Sequence, residues 1–280
     1  MTLGKIAIIG CGKAASSLGP SIKKAGADLA FLFDRNLSKA VELANTCSAT
    51  VCANLEDINQ ADTILLAVPD DAITEACQAL PFDLTGKNVL HLSGSRPLSL
   101  LDDALHRGAK IGCWHPAQTL GGLVEFEDVC FGITAEGILR EDLFRLSLAM
   151  GAHPIYVSPE QKVLYHLAAT VSSNYVCTLQ FMGQDLLIKA GFTTNDAQAI
   201  LLPLLKQTIE NISLQGPQKA LTGPVSRGDT LTVKEHIHFL SQRAPHYLPL
   251  YVQAGLITVD IANTFNAPLK MLLQKVLEEA

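Results

Sequence analysis

As far as about residue 157 the chain alternates short apolar or β-branched runs with stretches in which apolar residues recur every three or four positions. The runs KIAII (5–9), LAFLF (29–33), TVCA (50–53), TILLAV (63–68), NVLHL (88–92), KIGC (110–113), VCFGIT (129–134) and HPIYV (153–157) predict strands. Between several of them the period becomes helical, as in KAASSLGPSIKKAG, closed by Gly26, and LSKAVELANT, which Asn36 is placed to cap. Alternation of this kind predicts an α/β fold, a Rossmann-like doubly wound and mostly parallel sheet. Beyond 158 the strand signals stop. Ser158-Pro159-Glu160-Gln161 combines an N-cap, a proline at the first helical position and a capping-box glutamine. From there the pattern is all-α, with breaks expected near AGFTTND, QGPQKALTGPVSRGD and RAPHYLP. We therefore expect two domains, 1–157 and 158–280.

Composition narrows the function classes. A chain of 280 residues with 48% hydrophobic and 17% charged residues can bury a large core and does not have the make-up of a disordered protein. The 21 basic against 27 acidic residues give a net charge of -6, without a basic run, which speaks against nucleic acid as a partner. Seven cysteines, odd in number and never spaced C-x-x-C, support neither a disulfide framework nor a thiolate zinc site and fit a reducing cytoplasm. The expectation is a cytoplasmic protein with no metal. No apolar run reaches the roughly 18 residues of a membrane span, and the start of the chain is too short for a signal-peptide core.

The first chemical motif is IAIIGCGKAASSLG. Gly10-x-Gly12-x-x-Ala15 follows a strand and opens a helix: Gly10 permits the tight turn, Gly12 lets backbone approach a pyrophosphate, and Ala15 allows close helix–strand packing. The helix start, with Lys13 and Ala14, offers unpaired N–H groups to phosphates. Asp34 ends the second strand 22 residues after Gly12, where an acid accepts from a ribose 2'-OH and selects NAD. Arg35, with Ser38 and Lys39 behind it, suits a 2'-phosphate and NADP instead. Both remain open at this point, with the lean towards NADP.

Three further segments fall where strands end, the usual ligand side of an open parallel sheet: AVPDDAI (67–73), HLSGS (91–95) and CWHPAQTL (113–120). Val68 and Pro69 border the expected cofactor site. Asp70 is placed either to cap the following helix or to touch ligand. Ser93 heads a small donor-rich loop, and His115 lies in a cleft or caps carbonyls. On the long helix, Lys162, His166, Ala169 and Ser173 form one stripe with Asn174 beside it, at about 100° per residue. Tyr165 is expected to pack off that line. Further on, Arg227 either pairs with Asp229 or clamps an anionic group of the substrate. His236 and His238 point to different helix faces, H-E-x-x-H and G-x-S-x-G are absent, and neither a metalloprotease nor a serine hydrolase is indicated.

In order along the chain, Gly10-x-Gly12, HLSGS, WHPAQTL, KVLYHLAATVSSN, LLPLLKQTIENI, ALTGPVSRGD and TVKEHIHFL resemble a family of Rossmann-like proteins carrying an uncharacterised helical C-terminal domain. That family is similar in architecture to pyrroline-5-carboxylate reductase and to dehydrogenases of the 6-phosphogluconate and 3-hydroxyisobutyrate type. The resemblance implies an NAD(P)-dependent oxidoreductase with a helical dimerisation domain, and a homodimer. It also implies that Lys162 handles the proton accompanying hydride transfer, although His166 stands four residues later where the related dehydrogenases have asparagine. Lys162 and His166 are then the acid/base candidates, with Asn174 and Ser93 orienting the substrate and His115 and Arg227 contacting it. Against this stand a lysine that merely snorkels and a histidine satisfied in the core. The alternative for the whole chain is an NAD(P)-binding sensor without turnover.

Overall fold

The computed structural model describes residues 3–262 and 266–279, and in it all eight expected runs form strands of one sheet. The α/β portion consists of β1 (Lys5–Ile9), α1 (Lys13–Lys24), β2 (Asp28–Phe33), α2 (Leu37–Cys47), β3 (Thr50–Val51), β4 (Thr63–Leu66), α3 (Ile73–Gln78) and β5 (Asn88–His91). It continues with α4 (Asp102–His106), β6 (Lys110–Pro116), β7 (Cys130–Thr134), α5 (Gly137–Ala149) and β8 (His153–Tyr156). The strand order is β3-β2-β1-β4-β5-β6-β7-β8. Every neighbouring pair is parallel except β6–β7, where His115 lies opposite Gly132. The order reverses between β1 and β4, which opens a crevice at their carboxyl ends.

The continuous apolar runs are explained by burial on both faces. In β1, Ile6 and Ile8 join one core with α1 and α5, while Ala7 and Ile9 join the other with α3 and α4. Trp114, fully buried on β6, rests against Phe131 and donates from Nε1 to the Ser147 hydroxyl at 2.8 Å. The caps are those the sequence announces. Asn36 accepts from the Ser38 amide, and Ser158 and Gln161 form a reciprocal capping box.

All helices follow: α6 (Lys162–Lys189), α7 (Thr194–Ala220), α8 (Pro224–Arg227), α9 (Thr230–Arg243), α10 (Leu248–Ile261) and α11 (Ala267–Glu279). The expected breaks are real. Thr193 caps α7 in a box with Asp196, α7 is interrupted at Gly216 (φ 77°), and a 3-10 turn over Pro245–Tyr247 precedes α10. By internal packing the chain divides into two compact units between Asn174 and Tyr175, part-way along α6. The second unit has its own small core of Val233, Val252, Val259, Leu269 and Leu273. No helix among the described residues is long and apolar enough to cross a membrane.

Candidate functional site

At the crevice between β1 and β4 lies a cavity of about 540 Å³, lined by Gly10 and Gly12 after β1, Asp34, Arg35 and Lys39 after β2, and Val68 and Pro69 after β4. The two glycines differ in what the fold asks of them. Gly10 has φ +93°, and a Cβ there would stand 2.6 Å from the Ala67 carbonyl oxygen, so the turn itself demands glycine. Gly12 is extended (φ -82°, ψ -167°) and a Cβ on it would meet nothing within 4 Å. The protein alone does not need that second glycine. The space in front of it suits a group that must approach the backbone closely at a helix start, as a pyrophosphate does.

Lys13 and Ala14 form the first turn of α1, and Ala15 is fully buried against the sheet. Asp34 is already engaged: its Oδ2 accepts from the Cys11 amide and its Oδ1 from the Asn36 amide, both at 2.7 Å. It clamps the glycine loop to the end of β2. Arg35 and Lys39 are exposed and border the cavity.

A second cluster sits at the ends of β5 and β6, with Ser93 as its hub. The Ser93 hydroxyl donates to Asp70 Oδ2 at 2.8 Å, its amide donates to His91 Nδ1 at 3.1 Å, and its carbonyl accepts from Lys162 Nζ at 3.0 Å and from the Cys113 thiol at 3.1 Å. Lys162 Nζ also donates to Cys113 Sγ at 3.1 Å. Lys162, with 2% of its surface exposed, therefore does not snorkel; its Nζ is buried against the Ser93 carbonyl and the Cys113 sulfur. Half-buried His115 and His166 have ring centroids 6.0 Å apart, and His115 Nδ1 is 3.0 Å from the Tyr165 hydroxyl.

The electrostatics follow from this packing. Burial, followed by the Lys162 charge, takes His91 down to about 4. Burial, then His166 and Lys162, does the same to His115, also to about 4. Burial pushes the Cys113 thiol up, against the pull of Lys162, and burial raises the Tyr165 phenol. At neutral pH His91 and His115 are thus uncharged imidazoles.

Comparison with known proteins agrees with this architecture. Residues 5–93 match the family described as NADP oxidoreductase, coenzyme F420-dependent, and residues 129–258 match one described as a domain of unknown function, DUF2520. The chain has the Rossmann-type fold of the NAD(P)-binding oxidoreductases. A candidate NADP oxidoreductase from Bacteroides fragilis superposes with a TM-score of 0.73 at 24% identity, over 92% of this chain and 98% of its own. A pyrroline-5-carboxylate reductase from Coxiella burnetii gives 0.63 at 18% identity, over 93% and 98%. A reductive aminase from Aspergillus terreus, in complex with NADPH and ethyl-5-oxohexanoate, gives 0.62 at 16% identity, over 100% and 95%. No curated protein sequence matches the chain.

Within this oxidoreductase fold, Ser93, His115, Lys162 and His166 come together as the sequence groups them. Asn174 does not join them: it is exposed on α6, eight residues and about 12 Å beyond His166. Arg227 is exposed in the second unit, on the short helix α8, and Asp229 caps α9 by accepting from the Thr232 amide and hydroxyl. Two expectations are corrected. Asp70 is not a helix cap, because extended Pro69 takes the position before the 3-10 turn Asp70–Ala72 and leaves the Asp70 carboxylate to Ser93. Tyr165 is not a bystander; position i+3 lies only about 60° from Lys162 around the helix, flanking it opposite to i+4 on one broad face. Two further members of the cluster are His91, the last residue of β5, and Cys113 on β6, neither of which the sequence pattern singles out.

Proposed function

We propose that this protein is an NADPH-dependent oxidoreductase acting on a small polar metabolite with a carbonyl or imine group. The observation that carries the reading is the Gly12 position, whose open space at the strand crossover serves no packing purpose in the protein itself. Arg35 and Lys39 supply two cations where a 2'-phosphate is expected, while each oxygen of Asp34 already accepts from a loop amide. Bound there, the cofactor supplies or accepts a hydride. Lys162, which holds the Ser93 loop, and His166 are the acid/base candidates for the accompanying proton, and Arg227 is a candidate for an anionic substrate group. We assign residues 1–157 to the cofactor and residues 158–280 to substrate binding and dimerisation.

Titration with NADH and NADPH, followed by nicotinamide fluorescence, tests the reading. NADPH is expected to bind more tightly, and failure of both to bind would remove the oxidoreductase assignment. In Arg35→Ala the affinity for NADPH is expected to fall about 10- to 100-fold while NADH is unaffected, the size of one or two charge-assisted hydrogen bonds. Exposed Leu179, Phe181 and Ile188 on α6 and Leu204, Ile209 and Leu214 on α7 support a homodimer built through the helical unit. Sedimentation equilibrium decides it, and a monomer at micromolar concentration would rule it out.

A further inference from the structure

Part of the cavity at the strand crossover is a helix face that the glycine turn does not account for. Ala72, Glu75, Ala76 and Ala79 all line it, at spacings of three and four residues, so the 3-10 turn Asp70–Ala72 and α3 present one continuous face. Three of these four side chains end at Cβ. Phe33, the last residue of β2, and Leu55, which opens the 3-10 turn Leu55–Ile58, line the same cavity. Both are half-buried against the core that α3 also joins. The lining is therefore apolar over this region, with Glu75 as its hydrogen-bonding group.

The inference rests on the oxidoreductase reading above, which gives two parts of the coenzyme their places: pyrophosphate in front of Gly12 and 2'-phosphate beside Arg35 and Lys39. The base carried by that same ribose is adenine, a flat ring with apolar faces and polar edges. Its faces suit alanine, leucine and phenylalanine side chains, and its edge requires a polar partner. Two carboxylates line the cavity. Asp34 has both oxygens on backbone amides, at 2.7 Å. Glu75 is exposed, and among the described residues no group hydrogen-bonds to its carboxylate or pairs with it. An ionised carboxylate only accepts, which matches the 6-amino group of adenine and opposes the 6-oxo group of hypoxanthine or guanine.

We propose that Glu75 is the specificity-determining residue for the base: its carboxylate accepts from the 6-amino group of an adenine lying on the face of Ala72, Ala76 and Ala79, and the site thereby selects adenine over 6-oxopurine dinucleotides. Arg35 and Lys39 read the phosphate, and Glu75 reads the ring. A glutamate placed there only for the electrostatics of the helix start would not tell two uncharged bases apart.

The test is fluorescence titration of the full-length protein with NADPH and with its hypoxanthine analogue, reduced nicotinamide hypoxanthine dinucleotide phosphate. The two differ only at the 6-substituent and the adjacent ring nitrogen of the purine. The parent is expected to bind NADPH about tenfold more tightly, the size of one exposed hydrogen bond set against two opposed acceptors. In Glu75→Gln, whose amide offers a donor or an acceptor by turning over, the two affinities are expected to agree within about twofold. In Glu75→Lys, which only donates, the preference is expected to reverse in favour of the hypoxanthine form. Both variants are expected to melt within about 2 °C of the parent, because position 75 is exposed. The ratio taken within each variant cancels any general change of affinity that the altered charge brings. Equal binding of the two coenzymes by the parent overturns the proposal, as does a preference for NADPH that survives both substitutions. Failure of the parent to bind either coenzyme fells the underlying reading instead.

Discussion

Gly12→Ala is expected to fold as the parent does and to lose NADPH. Its backbone is extended, a conformation alanine adopts freely, and the added methyl group meets no atom within 4 Å. At an N-cap the exchange of glycine for alanine costs about 0.5 to 1 kcal/mol, which moves the melting temperature by about 1 to 4 °C in a protein of this size. The methyl group does intrude where a pyrophosphate must lie against the helix start, so NADPH affinity is expected to fall by about 100-fold or more, roughly the loss of two charge-assisted hydrogen bonds. Gly10→Ala serves as the contrast: its positive φ and the 2.6 Å approach to the Ala67 carbonyl make it destabilising with or without cofactor. Thermal melts and fluorescence titrations of both variants separate the roles. Unchanged NADPH binding in Gly12→Ala would show that the cavity does not hold the dinucleotide in this way.

Acidification is expected to destabilise the protein well before its carboxylates titrate. His91 and His115 have folded-state values near 4 against an ordinary 6.5. A base whose folded value is depressed contributes its full stability above 6.5, and that contribution is lost as the pH falls towards 4, because only the unfolded chain takes up the proton in this window. Between pH 7.5 and pH 5 the loss comes to about 2 kcal/mol for fully buried His91. Half-buried His115 falls below that figure because solvent screens it. Denaturant unfolding at pH 7.5, 6 and 5 measures the slope. His91→Asn, which keeps an acceptor for the Ser93 amide, is expected to remove about half of it. A parent protein equally stable at pH 7.5 and pH 5 would mean that the two imidazoles take up protons as readily in the native state as in the unfolded chain.

The sheet was legible because its strands are buried on both faces, which prints uninterrupted apolar runs such as Ile6 to Ile9 and Ile64 to Leu66. The helix starts were legible because caps are local chemistry, Asn36 and the Ser158–Gln161 box being satisfied within three residues. The reversed direction of β7 was not, since nothing in CFGIT distinguishes a parallel from an antiparallel neighbour. The polar cluster was half legible: Lys162 and His166 announce themselves by helical spacing, and Ser93 and His115 by their place after strands. Its wiring escaped because partners such as Asp70 and Ser93, or Cys113 and Lys162, lie 23 and 49 residues apart and are chosen by tertiary packing. Local propensity gave Asp70 a capping role that the neighbouring Pro69 had already taken.

The Asp34 carboxylate has a consequence for redesign of the cofactor site. One of its oxygens grips the Cys11 amide within the glycine turn and the other the Asn36 amide beyond Arg35, so residue 34 maintains the shape of the site for any dinucleotide. On the proposed reading, recognition of the adenosine end is left to the next side chain along, Arg35, and to Lys39 one helical turn later, both of which line the cavity. If that reading holds, scaffold and selectivity are written in adjacent residues with separate tasks, and changes at 35 and 39 are expected to alter coenzyme preference without loosening the turn.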